Sequence, residues 1–158
     1  MFGHVSLRNL WWKGALVLLL VLLGGACHPA MVKPDKFARF KGGAFKAITA
    51  DGVRVKVRSL PNEPYGDLKL WSGTVELHLK EQGYRLQKKE AVTSAGGPGQ
   101  SLTALYGFRN RDYVYMVNVF VKGTGLFSRV ILVEAAGPYE EFQKHEGAIR
   151  KSLETLKF

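Results

Sequence analysis

The chain has 158 residues, 46% of them hydrophobic, with 23 Lys and Arg against 13 Asp and Glu and a formal charge of +10. That length suits one domain of ordinary size, with enough Val, Leu, Phe and Tyr for a real core. A single cysteine excludes a disulfide framework or a thiolate metal cluster, and the cationic surplus favours lipid headgroups, acidic glycans or nucleic acid as partners.

Arg8 and Lys13, with no acidic residue among them, lead into an uncharged apolar run that ends Leu23-Gly24-Gly25-Ala26-Cys27. A basic start, a short apolar run and small residues before a cleavage point make a secretory signal. The run, residues 14–26, is shorter than the roughly 17–25 residues a spanning helix needs. Leu23–Cys27 resembles the lipobox of bacterial lipoproteins, with Gly24 where the commonest form has leucine. The resemblance implies cleavage by signal peptidase II before Cys27, a diacylglyceryl group on its thiol and usually acylation of the new amine. An uncleaved anchor, or an ordinary signal cut near Ala26, are the alternatives. His28 follows the cysteine where enteric-type lipoproteins retained at the inner membrane carry Asp, which implies the outer membrane. Removing residues 1–26 leaves 132 residues with 21 basic and 13 acidic side chains, a charge of +8. For an exported protein, anionic lipid and glycan are accessible and nucleic acid mostly is not.

Residues 27–44, the lipidated cysteine and the stretch after it, read as a flexible tether. Pro29, Pro34 and Gly42-Gly43 interrupt it, and no hydrophobic period runs through it. Lys33, Lys36, Arg39 and Lys41, interleaved with Phe37, Phe40 and Phe45, suit an anionic leaflet; a soluble spacer whose aromatics pack on the domain fits equally well. A single globular domain is expected over residues 45–158.

Ala50-Asp51-Gly52 lies between two strand-like runs and is a strong hairpin signal. The second run alternates strictly, with Val53, Val55 and Val57 on one face and Arg54, Lys56 and Arg58 on the other. Residues 67–82 carry two patterns. Leu68, Trp71, Val75 and Leu79 have helical spacing between a capping Asp67 and a terminating Gly83, while residues 75–79 alternate like a strand. The cap, the length and the stop favour the helix. Strands are expected over 84–93, 101–109, 113–122 and 127–134, joined by short turns into an antiparallel meander. Residues 114–121 and 130–133 are apolar on both faces, so these strands should be central and covered on both sides. Gly137-Pro138 opens a final helix, with Glu140 and Glu141 at its positive end and Phe142, Ile149, Leu153 and Leu156 on one stripe.

Few residues suggest chemistry. The glycine-rich stretch Ser94–Ser101 lacks the Gly-Lys-Ser/Thr ending and following helix of a phosphate loop. His28, His78 and His145 are isolated, so no metal site is expected. Ser72, Ser94, Ser101 and Ser128 stand in no recognisable nucleophile motif, and neighbouring Glu140 and Glu141 do not face one another on a helix. The leading site is Arg54, Lys56 and Arg58, three cations about 7 Å apart along a strand, suited to phosphates or charged glycans. The competing reading is a solvated strand face that blunts an edge against aggregation.

Hairpin, helix, four-strand meander and C-terminal helix, with the ending Arg129–Phe142 running into Ile149–Leu153, resemble the PsbP-like fold. The resemblance implies an α/β/α sandwich of the α+β class, with an antiparallel sheet of about six strands covered by helices. Members of that family generally act as assembly or binding accessories, so it implies no catalytic residues and no cofactor. The expected protein is a non-enzymatic, lipid-anchored envelope lipoprotein that docks a partner protein or an anionic lipid or glycan. A small-molecule or lipid carrier is the alternative, and a cell-wall enzyme the third reading.

Overall fold

The computed structural model describes residues 29–158. The expected signal stretch, the lipobox-like Leu23–Cys27 and the expected lipidation at Cys27 lie outside the described residues. Seven strands form one sheet: β1 (Ala38–Arg39), β2 (Lys46–Ile48), β3 (Arg54–Pro61), β4 (Arg85–Ser94), β5 (Gly97–Phe108), β6 (Arg111–Lys122) and β7 (Arg129–Pro138). Among the described residues two α-helices, α1 (Leu68–Glu81) and α2 (Tyr139–Glu154), and a short 3-10 helix, Gly125–Phe127, complete the α+β fold. The strand order is β1-β2-β3-β7-β6-β5-β4, with every neighbouring pair antiparallel.

The ambiguous stretch after the first hairpin is helical. Asp67 accepts a hydrogen bond from the Leu70 amide at 2.7 Å and caps α1. Gly83, at φ 81°, takes the left-handed turn that ends it. Leu79 is buried with Leu102, Ala104, Val117, Val119 and Val130, and Leu68, Trp71 and Val75 pack on the same cluster. Asn62, itself buried, fixes the start of α1. Its amide nitrogen donates to Ser128 Oγ at 2.8 Å, and its oxygen accepts from Trp71 Nε1 at 2.6 Å. At the other side of the helix, Glu76 meets Lys80 at 2.7 Å and Lys89 of β4 at 2.8 Å, and these donors hold its carboxyl down to about 2.

The opposite sheet face carries the larger core: Val53, Val55, Val57, Val114, Met116, Phe120, Ile131 and Val133 beneath Phe142, Ile149 and Leu153 of α2. Arg150 joins Glu146 at 2.7 Å and Glu90 of β4 at 3.0 Å, holding α2 across the sheet. Asp51 of the first hairpin meets His145 of α2 at 2.9 Å. The Thr49 hydroxyl, then His145, keep the Asp51 carboxyl low, at about 2.

Several expectations are corrected. Residues 29–44 are no free tether: Met31, Phe37 and Phe45 are buried in the α2-side core, and β1 pairs with β2. Ala30 exchanges backbone hydrogen bonds with Lys157 at 2.9 and 2.8 Å, and the Val32 amide donates to Thr155 Oγ1 at 2.9 Å. This segment supplies the seventh strand where about six were expected. The glycine-rich stretch 94–100 is mostly strand, because β5 already begins at Gly97. Phe120 crosses so close to Gly99 that any side chain there would collide with its ring. Strand β7 continues to Pro138, four residues past the expected Glu134, and α2 starts at Tyr139. Leu132 is half-buried rather than buried, because α1 lies over β4, β5 and β6 and reaches β7 only at its Val130 end.

These layers set unequal costs for truncation. Leu153→Ala, in the α2 core, should lower unfolding free energy by about 2–5 kcal/mol, and Val119→Ala somewhat less. Leu132→Ala should cost about 1 kcal/mol. Urea unfolding of the three variants checks the order; equal losses at Leu132 and Leu153 would mean that both faces of β7 are covered.

Candidate functional site

Strand parity builds the site. With Val53, Val55 and Val57 committed to the α2 core, the intervening Arg54, Lys56 and Arg58 must point to the α1 side. On that side α1 covers β4, β5 and β6 and reaches β7 only at its Val130 end, which leaves β2, most of β3 and the rest of β7 open. Register then gathers side chains into rows. Lys46, Lys56, Glu134 and Val117 lie side by side across β2, β3, β7 and β6, and Arg54, Ala136 and Tyr115 form the next row.

Glu134 organises this face. It accepts from the Tyr115 hydroxyl at 2.9 Å and meets Arg58 at 3.5 Å. Burial, then the neighbouring Glu134 carboxylate, raises the Tyr115 phenol well above its ordinary range, so it stays a neutral donor. Tyr115 also packs on Tyr84 at 5.6 Å between ring centroids, and Tyr84 on Tyr106 at 5.0 Å. Tyr113 lies opposite Tyr106 in the register of β5 and β6. The tyrosines therefore line the face from the end of α1 to the cationic strand. Arg54 and Lys56 are exposed and, among the described residues, form no ion pair, whereas Arg58 is half-buried against Glu134.

All three expected binding cations thus share one open face, and Glu134, which ties Arg58 to Tyr115, is what the sequence reading missed. Glu134 was legible only as the end of an apolar strand. Its partnership with Arg58 requires the β3–β7 pairing, which joins segments about seventy residues apart in the chain. Chemically, the face offers cations for an anion and tyrosine rings and hydroxyls for an apolar or sugar surface. Among the described residues, no group of three His, Cys, Asp or Glu is placed to hold a metal ion. His78 lies exposed on α1, and His145 belongs to the Asp51 contact.

Fold and face define an α+β sandwich: a seven-stranded antiparallel sheet, one helix on each side, and a cationic, tyrosine-lined half-face left open. No family model and no curated protein sequence matches the chain. Among solved structures it is similar to LpqN of Mycobacterium tuberculosis, described as involved in cell envelope biogenesis. The identity is 12%, with 85% of this chain and 86% of that one covered and a TM-score of 0.69. It is also similar to PA94 of Pseudomonas aeruginosa, a protein of unknown function, at 14% identity, covering 81% and 95% of the two chains with a TM-score of 0.58. At such identities the likeness is one of fold.

Because Glu134 is the acid on this face, its charge offsets the cations around it. Glu134→Gln should elute later than the parent from a heparin column, and Lys56→Gln earlier. Equal elution of all three proteins would show that polyanions do not meet this face.

Proposed function

We propose that the protein is a lipid-anchored lipoprotein of a bacterial envelope whose domain docks a partner protein or an anionic envelope component, without performing chemistry. The observation that carries this reading is the open sheet face, where Arg54, Lys56 and Arg58 stand beside Glu134 and a row of tyrosines. Packing accounts for the valines between the cations, but it gives no reason for all three outward positions to be basic. Attraction to an anionic surface does. The envelope setting is supported by the secretory signal ahead of Cys27 and by a fold shared with a protein described as involved in cell envelope biogenesis. The element order supports kinship with PsbP-like accessories, and His28 after the cysteine supports the outer membrane.

The anchor is tested at Cys27. Two or three acyl chains hold a protein stably where one is marginal. Cys27→Ser should abolish incorporation of labelled fatty acid and leave an unprocessed, membrane-held precursor. Normal maturation of that variant would overturn the lipobox reading.

The docking face is tested by changing Arg54, Lys56 and Arg58 together to Gln. Capture of the envelope partner or acidic glycan should be lost, while the thermal midpoint falls only slightly, since Arg54 and Lys56 are exposed and the half-exposed Arg58–Glu134 pair is worth about 0–1 kcal/mol. Wild-type binding should fall steeply with salt as the screening length shrinks below about 8–10 Å. Equal binding by the triple variant across a salt series returns these residues to a solvated strand face.

A further inference from the structure

The sheet has two ends, and their loops differ. The far end holds the Asp51 hairpin, the β5–β6 turn and the start of α2, where Asp51, Asp112, Glu140 and Glu141 offset Arg111 around one depression. The near end gathers the β1–β2 loop, the 62–66 loop, the β6–β7 loop, the C-terminal Lys157-Phe158 and Pro29-Ala30. The described chain begins there. Ala30 is tied to Lys157 by two backbone hydrogen bonds, so Cys27 is three residues from a fixed point, within about 11 Å of extended chain.

What surrounds that point has the composition of a membrane-facing surface. Phe127 is 89% exposed at the tip of the β6–β7 loop, and Phe40 is 55% exposed in the β1–β2 loop. Neither packs on any core, and both sit beside cations: Arg39 and Lys41 on one loop, Lys122 and Arg129 flanking the other. Between the loops runs a groove of about 750 Å³ whose lining includes Met31, Phe45, Val57, Ile131 and Phe158, with Arg39, Lys122 and Arg129 around it. The acids on these loops are Glu63 and Asp67, and Asp67 is occupied as the α1 cap.

We propose that this end of the domain is a docking surface for an anionic phospholipid leaflet. Phe127 enters the interface, and Lys122 and Arg129, with Lys41 of the β1–β2 loop, meet lipid phosphates, with the groove mouth turned to the acyl region. The occupant follows from where the chain leads, from charge complementarity and from the unpacked Phe127 at the tip of the β6–β7 loop. The orientation rests on the lipid-anchor reading of Cys27; the affinity of the surface for lipid does not. It also differs from the Arg54, Lys56 and Arg58 surface, which lies on the opposite side of the sheet from the groove.

The test uses residues 29–158 without lipid, a piece that contains every described element and both cores. It is sedimented with phosphatidylcholine vesicles and with vesicles of phosphatidylcholine and phosphatidylglycerol. The parent should partition onto the anionic vesicles alone, and less with added salt. Changing Lys122 and Arg129 together to Gln should lower the partition coefficient about thirtyfold, at a factor of about five for each charge near the surface. Phe127→Ser should lower it as well, while the Arg54, Lys56 and Arg58 triple variant should bind as the parent does. Circular dichroism on each variant separates lost folding from lost docking, and the salt series on the parent stands apart from any variant. No binding to anionic vesicles, or equal binding by parent and the Lys122/Arg129 variant, overturns the proposal, as does loss confined to the triple variant. The mass of the N-terminal peptide of protein from its bacterial host reports the anchor separately. An unlipidated peptide with intact vesicle binding removes the anchor and keeps the docking surface.

Discussion

One helix cannot cover one face of a seven-stranded sheet, and the architecture follows from how each face meets that limit. Seven strands at about 4.8 Å spacing make a surface about 29 Å wide, whereas a helix with its side chains is about 10–12 Å across. On the α2 side the deficit is met by the chain's own beginning. Met31, Phe37 and Phe45 lie on the part of the sheet that α2 does not reach, and β1 extends the sheet beneath them. On the other side nothing described fills the gap. Side chains over β2, β3 and the later part of β7 there must tolerate water, and Lys46, Arg54, Lys56, Arg58 and Glu134 stand there among half-buried Ile48, Leu132 and Ala136. Open face and buried N-terminal segment are two answers to the same shortage of cover.

What was legible in the sequence divides along the same line. Local periodicity gave the alternation of residues 53–58, the capped helix after Asp67 and the stripe of α2, because each depends on neighbours within one element. The N-terminal segment was only partly legible: packing of its aromatics on the domain stood as one of two readings, but prolines and glycines break any helix or strand stripe through its buried residues, Met31, Pro34, Phe37 and Phe45. It is held by pairing with β2 and by hydrogen bonds to residues more than 120 positions away, Val32 to Thr155 among them. The glycine-rich turn misled for a related reason. Glycine there reads as looseness, yet Gly99 is ordered strand that makes room for Phe120 from the next strand.

The same distinction applies to the candidate surfaces. The three cations of β3 were found because alternation is local, whereas Glu134 and the tyrosine row needed the β3–β7–β6 register to bring them together. The near-end surface was half visible. Arg39 and Lys41 stood in one interleaved run, but Lys122, Phe127 and Arg129 join them only when β7 returns alongside β3 and the two loops come to flank one groove.

The two surfaces also constrain each other. Strand β3 points its Pro61 end toward the loops around Pro29, and its Arg54 end away from them. With the near end resting on a leaflet, the strands stand upright, and the residues of β3 rise by about 3.4 Å each. Arg58 is then nearer the leaflet than Arg54 by about 14 Å, and the open face looks sideways, along the membrane plane. A cationic patch turned that way cannot be spent on the leaflet beneath it. It remains available to a partner held in the same membrane or standing beside it. In the proposed orientation, charge near Pro29 and charge on the open face would therefore serve different contacts, one that fixes the height and attitude of the domain and one that its attitude leaves free.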